Sequence, residues 1–351
     1  MSDPGLQTEL AERDRLDVAR LDAWLGANVP EFIGPFTYAK FAGGQSNPTY
    51  RIDAASGRYV LRRKPMGQLL PSAHQVDREH RVIAALHPTG FPVPRPFGLC
   101  RDDAVIGSAF YVMEMVEGRT IWDGAMPDLA PARRRAHYLA MIDTLADLHN
   151  TDHRAIGLED FGRPGNYFER QVARWTKQYH GAETEHMPAM ERLIEWLPRT
   201  VPEQSRTSIV HGDYRVDNMR FAPGDEPRVA AVLDWELSTL GDPVADLTYY
   251  LMSWVTEPEG RSGVMGLTGD DTGIPSLDEM LARYCARTGR DAPVAIDWYF
   301  AFNLFRLASI VQGIKKRVLV GTASNAQAQE TAARVPMLVD AAWHFAERAG
   351  A

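Results

Sequence analysis

Apolar and polar positions follow two rhythms along this chain. The first is mixed and short-ranged. Leu16, Val18, Ala19, Leu21, Trp24 and Leu25 recur among charges at helical spacing, which predicts an amphipathic helix within 12–28. Pro30 and Pro35 end it. Phe36–Phe41, Tyr50–Ile52 and the run Tyr59-Val60-Leu61 into Arg62-Arg63-Lys64 read as short strands, the first two joined through Gly43-Gly44-Gln45-Ser46-Asn47. A helix is expected over 73–86. Val76, Ile83 and Leu86 mark its apolar side, and Glu79 falls between them, a costly place for a carboxylate without a partner. The stiff link Phe91–Pro96 leads to a dense apolar strand, Phe110–Val116.

The second rhythm is helical. Leu139, Ile142, Leu145 and Leu148 predict a buried helix over 131–149, and further helices are expected over 166–180, 191–197, 243–254, 277–288, 297–318 and 326–348. Residues 260–275 read as a loop. Two short apolar runs interrupt the pattern, Ile209-Val210 and Val229–Leu233. The expectation is an α+β, bilobal chain: a β-rich lobe over 1–115 and a larger helical lobe over 116–351.

Length and composition fit this picture. The 351 residues suffice for two lobes, and 45% hydrophobic with 24% charged residues is an ordinary globular balance. A net charge of −8 offers no basic face, so no nucleic-acid partner is expected. The two cysteines, Cys100 and Cys285, make neither a zinc pair nor a disulfide framework. The start MSDPGLQTEL has no basic, apolar leader, and no apolar run is long enough for a bilayer, so a cytoplasmic protein without a membrane partner is expected. Oligomeric state is not legible.

The candidate chemistry sits where the two interrupting strands end. Ile209-Val210 runs into His211-Gly212-Asp213-Tyr214-Arg215-Val216-Asp217-Asn218, and Val229–Leu233 runs into Asp234. An Asp, an Asn five residues later and a second Asp after a strand are the polar inventory of a kinase catalytic loop. There the first Asp accepts the proton of an attacking hydroxyl, and the Asn and second Asp hold Mg²⁺ on the nucleotide phosphates. The rest of a nucleotide site can be assembled upstream. The Gly44 backbone can approach a phosphate closely and Ser46 can add a hydroxyl. Arg62 shares the face of Val60 and can pair phosphates with Glu79, Lys64 being the open alternative. Backbone groups of Glu114, Met115 and Val116 lie where adenine would sit. Downstream, Asp242 and Asp246 could cap the helix opened by Pro243 and fix the His211 loop. Trp175 and Tyr179 share a helix face, and Arg170, Arg174 and Lys315-Lys316-Arg317 are available to an anionic group.

The phrases GGQSNPTY (Gly43–Tyr50), YVLRRKP (Tyr59–Pro65), REHRVIAAL (Arg78–Leu86), FYVMEMVEGR (Phe110–Arg119), HGDYRVDN and AVLDWELSTLGDPVADL (Ala231–Leu247) occur in order. With them the chain resembles the aminoglycoside phosphotransferase family, of protein-kinase-like fold, and more narrowly its branch fused to acyl-CoA dehydrogenases. The resemblance implies that Asp213 is the catalytic base and that Asn218 and Asp234 bind Mg²⁺. It further implies that Arg62 replaces the usual lysine beside Glu79, and that Arg215 faces the transferring phosphate. The glycine loop departs from G-x-G-x-x-G. Only eight positions separate Asp234 from Asp242, little room for a peptide-docking segment. The expected activity is ATP- and Mg²⁺-dependent transfer of the γ-phosphoryl group to a small-molecule hydroxyl, with a hydroxyacyl compound or its CoA thioester first among acceptors. The alternatives are an aminoglycoside or choline-like alcohol as acceptor, or a nucleotide-binding module without transfer.

Overall fold

The structure is a computed structural model and describes residues 5–42, 47–66, 75–204, 206–224, 227–258, 262–321 and 328–351. Six strands form one antiparallel sheet: β1 (Leu6–Gln7), β2 (Phe36–Phe41), β3 (Thr49–Ala54), β4 (Gly57–Arg63), β5 (Pro96–Cys100) and β6 (Phe110–Glu114), in the order β1-β2-β3-β4-β6-β5. Alternation divides its residues between two faces. Leu61, Phe110 and Val112 pack with Leu21 and Leu25 of helix α1 (Val18–Asn28), while Val60, Tyr111 and Met113 pack with Val76, Val82, Ile83 and Leu86 of α2 (Val76–Leu86). Leu21, Leu25 and Leu61 are wholly buried, each worth about 1.5–3 kcal/mol of transfer free energy.

Helix α1 begins later than the apolar pattern from residue 12 suggests. The Asp17 carboxylate accepts from Arg20 N at 3.1 Å and caps it, and Glu12–Asp14 form a separate 3-10 turn. A short helix, α3 (Asp103–Ile106), joins β5 to β6.

The remainder is mostly helical: α4 (Pro131–Asn150), α5 (Tyr167–Ala182), α6 (Pro188–Trp196), α7 (Val244–Leu251), α8 (Leu277–Thr288), α9 (Ile296–Leu319), α10 (Ala328–Ala333) and α11 (Val335–Arg348). The α7 segment is shorter than expected, because its last turn tightens to a 3-10 helix over Met252–Val255. Two small antiparallel ladders interrupt the helices, β7 (Ser208–Val210) with β10 (Thr239–Gly241), and β8 (Met219–Phe221) with β9 (Val229–Val232). They carry the two carboxylate-bearing loops. Among the described residues no helix is long and apolar enough to cross a membrane.

Candidate active site

The His211 loop is built on backbone hydrogen bonds that converge on one buried carboxylate. Asp246, in the first turn of α7, accepts from His211 N at 2.5 Å and from Gly212 N at 2.8 Å. His211 is buried, donates from Nε2 to Leu233 O at 2.9 Å, and accepts the Asp213 N–H on Nδ1 at 3.2 Å. That pair of bonds sets its tautomer and ties the Asp213 loop to the strand end before Asp234. Gly212 has φ +86°, and an added Cβ would meet Leu237 O at 2.8 Å, so glycine is required there. Asp242 accepts from Val244 N at 2.9 Å, while Asp246 anchors the loop; the two acids divide the supporting work expected of them.

Asp213 is held from both sides. Its Oδ2 accepts from Asn218 Nδ2 at 2.9 Å, and its Oδ1 accepts from the Tyr249 hydroxyl at 2.7 Å. Arg215 lies 3.5 Å from Asp213 Oδ2 and 3.1 Å from Asp217. Burial would raise the Asp213 pKa, but Arg215, the Tyr249 hydroxyl and Arg306 outweigh it and hold the carboxyl below the usual range. Asn218 spends its amide N–H groups on Asp213 O and Oδ2, which turns its carbonyl oxygen away from that bond. Asp234 takes the left-handed conformation, φ +65° and ψ +62°, at the end of the second strand, with its side chain about one-third exposed.

Arg62 joins these loops to the sheet. Its Nε lies 2.8 Å from Glu79 Oε2, and its Nη2 donates to Asp234 Oδ1 at 2.6 Å. Glu79 is buried and also accepts from Asn47 Nδ2 at 2.8 Å and the Tyr111 hydroxyl at 3.0 Å. Burial pushes the Glu79 carboxyl up and Arg62 opposes it. The net shift is upward, and Arg62, Asn47 and Tyr111 are the partners that the sequence demanded for this position. Lys64 instead lies 3.8 Å from Asp77, so Arg62 is the cation that meets Glu79.

Other expectations fare differently. Gly44 and Ser46 lie outside the described residues. Glu114 N donates to Arg95 O at 2.9 Å, and its side chain accepts from Arg95 N at 3.2 Å, so that N–H is not open to a base edge. Met115 and Val116 follow the strand and are half-buried. Arg170 is spent on the carbonyls of Gly165 and Arg163. Lys315 pairs with Glu185, and Lys316 donates to Gly181 O at 2.7 Å. Two site neighbours escaped the sequence reading. Tyr249 sits in an apolar helix and reads as core, and Arg306 lies within the Phe- and Leu-rich α9.

The sheet, the two carboxylate-bearing loops and the helical remainder define a kinase-like phosphotransferase fold. Residues 37–301 match the model of a phosphotransferase enzyme family, and the chain belongs to that family. It is 46% identical over 322 residues to acyl-CoA dehydrogenase family member 10 of Mus musculus, covering 90% of this chain and 30% of that protein. It is 40% identical over 350 residues to acyl-CoA dehydrogenase family member 11 of Rattus norvegicus, covering 97% and 44%. The chain thus spans less than half the length of these curated relatives. Among solved structures it is similar to a presumed aminoglycoside phosphotransferase from Ralstonia eutropha, with TM-score 0.87, 46% identity and 95% and 99% of the two chains covered. A spectinomycin phosphotransferase solved with ADP and spectinomycin shares the fold at TM-score 0.60 and 11% identity, covering 94% and 98%.

Proposed function

We propose that this chain transfers the γ-phosphoryl group of ATP to a hydroxyl of a small molecule, with Mg²⁺ as the metal. The observation that carries this reading is the convergence of Asp213 and Asn218, Asp234, and Arg62 from three separate segments. The donor set fits a hard cation: the carboxylate of Asp234 and the amide oxygen of Asn218 are the oxygen ligands such an ion prefers. When bound, the metal neutralises phosphate charge. The chain's own part is alignment and charge. Arg62 reaches the phosphates from the sheet, and Arg215 stands beside the base against the charge that develops on transfer. Asp213 orients the acceptor hydroxyl and takes its proton late. The backbone of Met115 and Val116 is offered to the adenine edge.

The kinship with acyl-CoA dehydrogenase family members supports a hydroxyacyl compound, free or as its CoA thioester, as the acceptor. The test is a mass-shift screen of wild type and Asp213→Asn with ATP·Mg²⁺ against hydroxy acids, hydroxyacyl-CoAs, amino sugars and amino alcohols. A phosphorylated acceptor found only with wild type is the expected result. Equal phosphorylation by the variant would refute the role of Asp213.

A further inference from the structure

Arg306 is a buried cation with unusual company. It is 6% exposed, yet no carboxylate lies within salt-bridge distance of it among the described residues. Taking a guanidinium out of water is costly unless it is paired. Its Nη2 donates to Gly212 O, the carbonyl immediately before Asp213, and its guanidinium lies 5.4 Å from the Trp175 ring and 5.0 Å from the Tyr249 ring. Two aromatic faces and one carbonyl are a partial substitute for a counter-ion. Arg174 lies 5.2 Å from the same Trp175 ring, is exposed, and makes no ion pair among the described residues. Partial desolvation of its guanidinium and the neighbouring Arg306 both push its pKa down. Two cations that repel each other beside one indole lower the cost of bringing an anion to them.

This arrangement borders the base directly. Tyr249 offers its ring to Arg306 and its hydroxyl to Asp213 Oδ1. Of the other cations considered from sequence, Arg170 and Lys316 are spent on carbonyls and Lys315 on Glu185; Arg174 makes no ion pair among the described residues and is tied to the base side through the Trp175 ring it shares with Arg306.

We propose that Arg174 and Arg306 form an anion-reading subsite for the phosphoryl acceptor, so that the acceptor hydroxyl belongs to a molecule carrying carboxylate or phosphate oxygens. The inference rests on the transferase reading and narrows it: a polycationic amino sugar is repelled at this place, and an anionic hydroxy compound is held there. The anion can be the carboxylate of a free hydroxy acid or a phosphate of its CoA thioester. Transfer moves the γ-phosphoryl group from the ADP leaving oxygen to the acceptor oxygen, and the hydroxyl proton goes to Asp213.

The experiment compares short straight-chain hydroxy acids, their CoA thioesters, and the diols in which a CH₂OH group replaces the acid, with wild type, Arg174→Ala and Arg174→Lys. The wild type is expected to prefer one of the two anionic series over the diols. That preference in kcat/KM is expected to fall about tenfold in Arg174→Ala, the effect of one charge-assisted contact, and to be partly restored in Arg174→Lys. Loss confined to the free acids assigns the carboxylate, and loss confined to the thioesters assigns the CoA phosphate. Equal use of acids, thioesters and diols by wild type, or a preference unmoved by Arg174→Ala, overturns the subsite. ADP release from ATP in the absence of acceptor is read in parallel. If wild type releases ADP but shows no anionic preference, the subsite alone fails; if it neither releases ADP nor binds ATP, the transferase reading fails and takes the subsite with it.

Discussion

The Tyr249 hydroxyl lies 2.7 Å from Asp213 Oδ1, so a residue of an apolar helix donates to the carboxylate proposed as the base. This bond is one of the interactions that hold Asp213 below the usual carboxylate range against its burial. A carboxyl with a depressed folded-state pKa contributes stability above its unfolded pKa, and that stability is lost as pH falls through the folded value. Tyr249→Phe removes the donor and raises the Asp213 pKa. The acidic limb of the kcat/KM profile should move to higher pH, and kcat should fall about tenfold, the worth of a hydrogen bond to a charged group. A pH–rate profile of both proteins checks this.

Arg62 bridges Glu79 and Asp234, and Glu79 is 1% exposed. Arg62→Ala leaves that buried carboxylate with only Asn47 and Tyr111 as donors. Removing one partner of a buried pair costs about 3–5 kcal/mol, and the urea midpoint should shift accordingly. The double variant Arg62→Ala/Glu79→Gln should recover part of the loss, because the uncompensated charge is gone.

Asp246 accepts two successive backbone N–H groups of the His211 loop. Asp246→Ala strands both donors in a buried setting, at about 1–3 kcal/mol each. The expected signature is a larger fall in kcat than any change in ATP affinity, since the loop that carries Asp213 loosens while the sheet side of the site is untouched. Equal loss of nucleotide binding, measured by calorimetry, would point to global unfolding instead.

Asp242 gives a pH test independent of catalysis. Burial raises its carboxyl to about 6, against the opposing Val244 N–H and Arg290. A carboxyl whose folded pKa is raised favours the folded state at low pH, and that contribution is lost as pH rises from the unfolded value near 4 through about 6. A shift of about two units corresponds to about 3 kcal/mol. Asp242→Asn keeps an acceptor for Val244 N and removes the titration. The difference in unfolding free energy between wild type and variant should therefore move in favour of the variant across this window.

Much of the fold was legible because its signals are local. Alternation along Val60-Leu61-Arg62 assigned each residue to a face, and it put Arg62 on the side where Glu79 waits. The acid between Val76 and Ile83 announced a partner before any coordinate did. What escaped was long-range and carried by residues that look apolar in context. Tyr249 reads as one of two core tyrosines in α7, and Arg306 as an oddity in an aromatic helix; each meets the His211 loop from 36 and 94 positions away. The cation inventory was legible only as a list. Which arginines are spent on carbonyls depends on turns, such as Gly165 beside Arg170, that no periodicity encodes. The hinge reading failed for the Glu114 N–H because the Pro-rich link before β5 folds back beside the end of β6 and takes that donor.

The strand order of the six-stranded sheet has a consequence for how crowded solutions of this chain behave. Its two borders are β1 and β5. β1 is two residues long, and beyond it the flank of β2 is tied to the preceding segment through Leu16 N on the Tyr38 hydroxyl at 3.0 Å and Lys40 on Asp14 at 2.8 Å. β5 opens with Pro96, and its register with β6 shifts between Pro96 and Gly98. A short border, a charge, a proline and a bulge each discourage another strand from adding on. Neither border of the sheet is an inviting template, so growth by strand addition from one copy to the next is disfavoured at both ends.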